Sequence, residues 1–542
     1  MDTPTPQMPP SPTPSPTEGQ LEPSLSSLAD LVVAAFERKE VPNHEHKISV
    51  NPVVAKFATW YEKFRNAMEY REDEVILRAA IERILRRRLL LGGNGKTTAE
   101  PLVREIIWAR YLPDNQVPES VVDVVEETID VYLSLRLKIL EHHRMNQILI
   151  DEWTYHLMSS AIENILHPNI EKETLANFMF QILKDNVQIT DDTEETRNAQ
   201  VYMAVRKAFA RDDTAFLRFH LFSLYFGQLT KESVDRIARG FLEGFREIER
   251  ELHYPRREKI YSYVKKRAAS FFILEDILRA HKAEIRTFLR DSEVVEKAVL
   301  EDCEVRYKGI ASKVRRAIIR SVLFILLTKV IFAFVVEGTY ERIFYGGIQW
   351  ASITLNTSIP PILMIIVSLF IRTPDQENSR RILSSIKEVL YSENPRLGAP
   401  LFVKKARDTK QPILRGIFTL LWLLAFVLSF GGITYVLSRL GFNPISQLVF
   451  IFFLAIVSFL SYRISLVANL YRVGEKQGLL TPVIDFLFMP VVRVGQRLTQ
   501  GISQINFLLF IFDFIIETPF KIIFGFFEQW FRFLHDKREE IG

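Results

Sequence analysis

Residues 416–438 read GIFTLLWLLAFVLSFGGITYVLS, and residues 440–462 read LGFNPISQLVFIFFLAIVSFLSY. Arg439 alone separates them, Arg415 and Arg463 bound them, and neither holds a charged residue. A hydrocarbon core of about 30 Å is crossed by about 20 mainly apolar helical residues. Each stretch is therefore long enough to span, and together they predict a transmembrane hairpin over 416–471. Working outward, residues 343–371 are also uncharged, and 317–336 are apolar apart from Arg320 and Lys329. These form a second hairpin over 317–371, for four spans in all.

Basic residues favour the cytoplasmic side of a membrane. Arg306, Lys308, Lys313, Arg315 and Arg316 precede the first span, and the segment 372–412 carries nine further Lys and Arg residues. The two remaining turns hold only Arg342 and Arg439. The alternation predicts a basic cytoplasmic loop over 372–412, with both termini cytoplasmic. The expected location is the cell membrane, plasma or inner. The same basic cluster, Arg306 to Arg320, attracts anionic headgroups, but it also serves as the topology signal, and no lipid-specific function follows from sequence.

Residues 26–310 have a different character. Charge is dense, Gly and Pro are sparse, and apolar residues recur at three and four, the helical period. Helices are expected over roughly 52–91, 100–111, 118–142, 145–166, 172–184, 197–211, 214–228 and 230–252, with no run that argues for a sheet. One or two further helices over 255–316, with Phe271, Phe272, Leu274, Ile277 and Leu278 as their apolar stripe, form a stalk into the membrane. The fold class is thus all-α: a polytopic helical membrane protein with a large cytoplasmic helical domain. Residues 1–25 are rich in Pro, Thr and Ser. They lack the basic and apolar regions of a signal peptide and read as a disordered tail.

After the second hairpin, the segment 482–494 is short for a span and holds Asp485, so it is expected to be re-entrant or interfacial. Beyond residue 500 the polar positions are Asn506, Asp513, Glu517, Lys521, Glu528, Arg532 and His535. Their spacings of 7, 4, 4, 7, 4 and 3 fall on one helical stripe. Ten Phe lie between Phe507 and Phe533. The pattern predicts a C-terminal amphipathic helix at the interface or against the bundle, rather than a fifth span with charges at its centre.

The net charge is +4 on 69 basic and 65 acidic residues, which does not point to nucleic acid. Cys303 is the only cysteine, which excludes an intrachain disulfide and a cysteine-based zinc site. Gly92-Gly93-Asn94-Gly95-Lys96-Thr97 superficially resembles a phosphate loop, but Leu90 stands where the first glycine belongs, and a helix precedes it rather than a strand. It reads as a helix end and turn. Glu152, His156, Glu163 and His167 share one face, and Trp153, Leu157, Ile162 and Leu166 the opposite one. The first set reads as a solvated polar face rather than a metal site, as do His44, His46, His142 and His143. No cofactor is expected.

Lys329 stands midway along an apolar helix, where an ionisable group is costly unless it faces protein or water. Its candidate partners are Asp485, Asp513 and Glu517. Glu337, at the outer end of the same helix, is expected to meet water. Asn356, Pro360 and Pro361 mark a candidate kink in the second span, since proline removes a backbone donor. The functional expectation is a membrane-anchored scaffold or interaction module, with the bilayer and protein partners of the cytoplasmic domain as its contacts. The alternative is an oligomeric transporter or channel built around Lys329. With no catalytic motif, an enzyme is the least favoured reading.

Overall fold

The computed structural model of the chain describes residues 24–37, 45–50, 75–90, 92–190, 192–344, 350–369, 373–404, 412–473 and 481–503, with isolated positions elsewhere. Short polar side chains set many helix starts by accepting an otherwise orphaned amide, worth about 1 kcal/mol each. Ser26 caps α1 (Ser27–Phe36). After α2 (Ile76–Leu90), Asn94 caps α3 (Gly95–Trp108) through a reciprocal bond with Thr97. α4 (Ser120–His142) follows. Asn146 caps α5 (Gln147–Leu166), and Asn169 caps α6 (Ile170–Lys184). Strand β1 (Val187–Ile189) leads to α7 (Glu194–Val205), capped by Thr193 and continued by a π turn, Arg206–Ala210. Then come α8 (Thr214–Phe226), α9 (Val234–Leu252), α10 (Arg257–Ala280) and the short α11 (Ile285–Arg290).

These elements build two cores. One gathers α2 to α5 with α8 and α9, around Ile81, Leu102, Ile129, Trp153, Phe222 and Phe241. The other gathers α1, α6, α7, α10 and α11 around Phe36, Met179, Phe209, Phe271 and Leu278. Arg211 lies in the left-handed region at φ 61 and is followed by two carboxylates that serve different helices. Asp212 accepts from Arg206 at 2.7 Å. Asp213 accepts from Arg78 of α2 at 2.9 Å and caps α8.

The second core does not stop at α11. α12 (Ser292–Phe332) starts at the cap Asp291 and buries Val295, Val299, Cys303, Ile310 and Val314 in that core. It runs on through a π turn, Ala333–Gly338, into α13 (Thr339–Phe344). The whole rod, Ser292–Phe344, is 53 residues, or about 80 Å at 1.5 Å per residue. Ile325 in its apolar part, Met364 of α14 (Trp350–Leu369) and Phe453 of α17 (Pro444–Ala468) belong to the same continuous cluster. α16 (Pro412–Arg439) lies beside them, and α18 (Thr481–Ser503) packs on α17 where Gly495 approaches the Ala455 carbonyl.

Among the described residues three helices are long and apolar enough to cross a membrane: Ser292–Phe344, Gly416–Arg439 and Pro444–Ala468. The expected second span is a shorter apolar helix over its described residues, Ile353–Leu369. Among the described residues the regular structure is almost wholly helical, apart from a short strand pairing that sequence reading missed. β1 pairs in parallel with β2 (Leu401–Val403), Val187 opposite Leu401. The segment 372–412 is also more than the bare basic loop expected. It holds α15 (Gln376–Tyr391), whose Ile382, Ile386, Val389 and Leu390 enter the second core. Its basic residues misled because they sit on the helix's outer face. The long helix expected over 52–91 is described as helix over 76–90. Of the tail expected over residues 1–25, residues 1–23 lie outside the described residues, as does the amphipathic pattern expected beyond residue 503, while Leu25 packs against the second core.

Candidate functional site

Lys329 has no side-chain exposure, and its Nζ donates to Glu337 Oε1 at 2.8 Å. Glu337, expected to meet water, is itself buried. In an α-helix each residue turns about 100°, so positions eight apart stand about 80° out of line. The π turn over Ala333–Gly338 widens the coil and brings both side chains to the same interior face. No sequence periodicity announces such a turn, which is why Glu337 read as an end residue.

Two other helices complete the site. Asn356 of α14, wholly buried, donates from Nδ2 to Glu337 Oε2 and at 3.3 Å to the Ser446 carbonyl. The Ser446 hydroxyl donates to the same Glu337 oxygen at 3.3 Å. Glu337 therefore receives an ammonium, an amide and a hydroxyl, a set that supports a carboxylate and leaves the pair neutral. The Lys329 ammonium also stands 5.0 Å from the Phe453 ring centre, on its face. One turn further, buried Glu341 accepts from Asn443 Nδ2 at 3.1 Å, while Asn443 Oδ1 caps α17 at Ser446. Sequence reasoning missed Glu337, Glu341, Asn443 and Ser446. The i, i+4 spacing of the two glutamates was the available signal.

Of the partners expected for Lys329, Asp485 lies on α18, and Asp513 and Glu517 lie outside the described residues. Pro360 and Pro361 are buried inside α14, which continues as helix through them. They remove the amides that the Asn356 and Thr357 carbonyls would otherwise accept. The side-chain oxygens Asn356 Oδ1 and Thr357 Oγ1 are also buried and meet no hydrogen-bond donor among the described residues. One turn of α14 thus concentrates acceptors.

The N-terminal half has its own polar ladder. Arg78, buried, binds Glu82, Asp213 and Ser159. Burial alone would raise Glu82, but the Arg78 and Arg86 guanidiniums overcome it and hold the carboxyl down at about 2. Arg218 meets His156 Nδ1 at 2.7 Å and reaches Glu152 and Glu249. Burial keeps His156 below the usual histidine range. His156 and Glu163 are therefore packed against α2 and α8, while on the same face Glu152 is half exposed and His167 exposed, so the polar face is solvated only at its ends; Trp153, Leu157, Ile162 and Leu166 are buried as expected. Burial pushes Glu163 up to about 8, against the pull of Arg78 and with help from Asp212 and Asp213. Among the described residues no three His, Cys, Asp or Glu converge on a metal-sized position.

The phosphate-loop-like run is a helix junction. Gly92, at φ 83, closes α2, and the Gly95 amide that opens α3 donates to Asp130 Oδ1 at 2.8 Å. A protein carboxylate thus occupies the anion position at this helix start. A cleft of about 610 Å³ opens between α4, α5 and α8, lined by Val124, Tyr132, Ile165 and Phe219, with Glu127 and Lys231 paired at 2.9 Å along it. Comparison of the chain with protein-family models, with curated proteins and with solved structures finds no match.

Proposed function

We propose that this is an integral membrane protein of four spans whose cytoplasmic helical half is an interaction module held rigidly at the bilayer. The observation that carries the reading is the Lys329–Glu337 pair, buried, neutral and enclosed by Asn356, Ser446 and Phe453. A pair enclosed by its own neighbours fastens helices together and offers little to a passing solute. The docking surface is then sought on the soluble helices, where the Val124–Phe219 cleft is one candidate.

Four spans are supported by where the chain returns. Residues before α12's apolar part and residues 376–403 after α14 pack into one core, so the apolar chain between them leaves and comes back. Past α17, Tyr471 and Val473 bond Asn378 at 2.7 Å each, so the second hairpin returns to the same side. The basic residues on that side make it the cytoplasmic one.

A second reading, an ion or proton route, is favoured by the unpartnered Asn356 Oδ1 and Thr357 Oγ1 beside the pair. One experiment separates the two. The full chain and the double variant Lys329→Met/Glu337→Gln are reconstituted in liposomes for ion and proton flux. They are also cross-linked in native membranes. The module reading expects no flux from either protein. It also expects a defined cross-linked partner that both retain and that Lys231→Glu or Phe219→Asp in the cleft removes. Flux by the wild type that the double variant lacks overturns it.

A further inference from the structure

The rod α12 carries a face that its own core does not use. At about 100° per residue, Lys313, Arg316, Arg320, Phe324, Leu327 and Ile331 fall within an arc of about 80°, and all six are exposed. Val314, Ile325 and Lys329 point the other way and are buried. Cations nearer the start of the rod are matched to carboxylates: Lys297 with Glu301, Arg306 with Asp276, Lys308 with Glu304. From Lys313 to Arg320 the pairing stops, to resume only inside the apolar part at Lys329. Lys313, Arg316 and Arg320 meet no carboxylate among the described residues.

The face therefore has two parts in register. Three unmatched cations stand where the apolar run begins, and three large apolar side chains follow on the same line. From Arg320 to Ile331 the helix rises about 16 Å, close to half of a hydrocarbon core of about 30 Å. We infer that this face binds a phospholipid with an anionic headgroup, drawn from the leaflet on the side of the soluble half. Its phosphate group is held by Lys313, Arg316 and Arg320, and an acyl chain lies along Phe324, Leu327 and Ile331. A second copy of the chain is a poorer occupant, because a symmetric contact on this face would set the three cations against their own counterparts. The site joins the lipid to the same rod whose far end holds Glu337, so a bound lipid sits on the element that carries the second core into the apolar helices.

The inference rests on the reading that α12 enters a bilayer, and its test separates the two. The full chain, purified in a neutral detergent, is titrated with phosphatidylglycerol and with phosphatidylcholine of the same acyl chains, and bound lipid is counted by native mass spectrometry. The wild type is expected to prefer phosphatidylglycerol by an order of magnitude or more. Each cation near a membrane surface contributes about fivefold, so Arg316→Gln loses about that factor. The triple variant Lys313→Gln/Arg316→Gln/Arg320→Gln loses most of the preference. The charge-keeping triple Lys313→Arg/Arg316→Lys/Arg320→Lys retains it, which controls for folding. Equal binding of both lipids by the wild type, or a preference that Arg316→Gln and the triple Gln variant leave intact, overturns the headgroup assignment alone. Binding of neither lipid overturns it together with the bilayer reading.

Discussion

Lys329 and Glu337 form an ion pair with no exposure on either side chain, between residues eight apart on a single helix. Removing one member of a buried pair strands the other charge, at a cost of about 3–5 kcal/mol, whereas replacing both by uncharged groups is often nearly neutral. Lys329→Met and Glu337→Gln are each expected to lower stability by that order in a denaturant titration of the detergent-solubilised chain. The double variant should recover most of the loss. Additive losses in the double variant would contradict a direct pair.

The pair exists because of the π turn between its members. Deleting the exposed Val335 shortens that turn by one residue and swings everything beyond it by about 100°. The deletion is expected to cost about as much as Glu337→Gln, and to cost far less when introduced into the Lys329→Met/Glu337→Gln background. Equal costs in both backgrounds would show that the turn serves another purpose.

Glu163 gives the N-terminal helices a distinct pH dependence. Its folded carboxyl titrates at about 8 against an ordinary value of 4.5, because burial disfavours the charge and Asp212 and Asp213 add to it. Below about 4.5 both folded and unfolded chains hold the proton. Between 4.5 and 8 only the folded chain does, so this group's contribution falls as pH rises, by up to about 1.4 kcal/mol per pH unit. Glu163→Gln should therefore raise the thermal midpoint above wild type at pH 8, with the gap shrinking toward pH 5. A gap that is constant across that range would rule out titration of Glu163 as its cause.

The parallel pairing of β1 and β2 is accessible to chemistry, because the one native cysteine, Cys303, is buried. Gln188 and Phe402 are opposite and exposed. The variant Gln188→Cys/Phe402→Cys is expected to form a disulfide on mild oxidation in native membranes, seen as a mobility shift that reductant reverses. Its failure to form, with both thiols open to alkylation, would place residue 402 away from the soluble half.

Among the described glycines Gly495 leaves the least room, since a Cβ there would stand 1.9 Å from the Ala455 carbonyl oxygen. Gly495→Val is expected to destabilise the chain by about 1–3 kcal/mol or more through overpacking. At Gly416 of α16, where a Cβ meets nothing within 4 Å, Gly416→Ala should be neutral or slightly stabilising. The comparison needs only thermal midpoints of the two variants in one detergent.

Much of this was legible in the sequence because helices repeat their signal every turn. The apolar runs around Arg439 and the soluble helices from Ser120 to Leu252 lie within a few residues of where periodicity and caps put them. What failed is what has no period. Strands of three residues, Val187–Ile189 and Leu401–Val403, are too short to show alternation. The second core takes in α15 because its apolar residues match a groove made some 100 residues earlier in the chain, which no local window reveals. At the candidate site, Lys329 stood out by its cost in an apolar helix, and Asn356 by its prolines. Glu337 did not, because the π turn that aims it inward leaves no mark on composition.

The bond from the Ser26 amide to the Leu390 carbonyl, and the closing of β1 against β2, impose an order on biosynthesis. The first helix and the first strand are made some 200 to 360 residues before their partners, and the apolar stretches of α12 and α14 are made in between. At about 5–20 residues per second, the nascent N-terminal half waits roughly 10–70 s with its second core open. It can close only after α12 and α14 have been made. Completion of this core thus reports that both apolar helices are in place behind it, and a chain that stalls between them keeps an open apolar face.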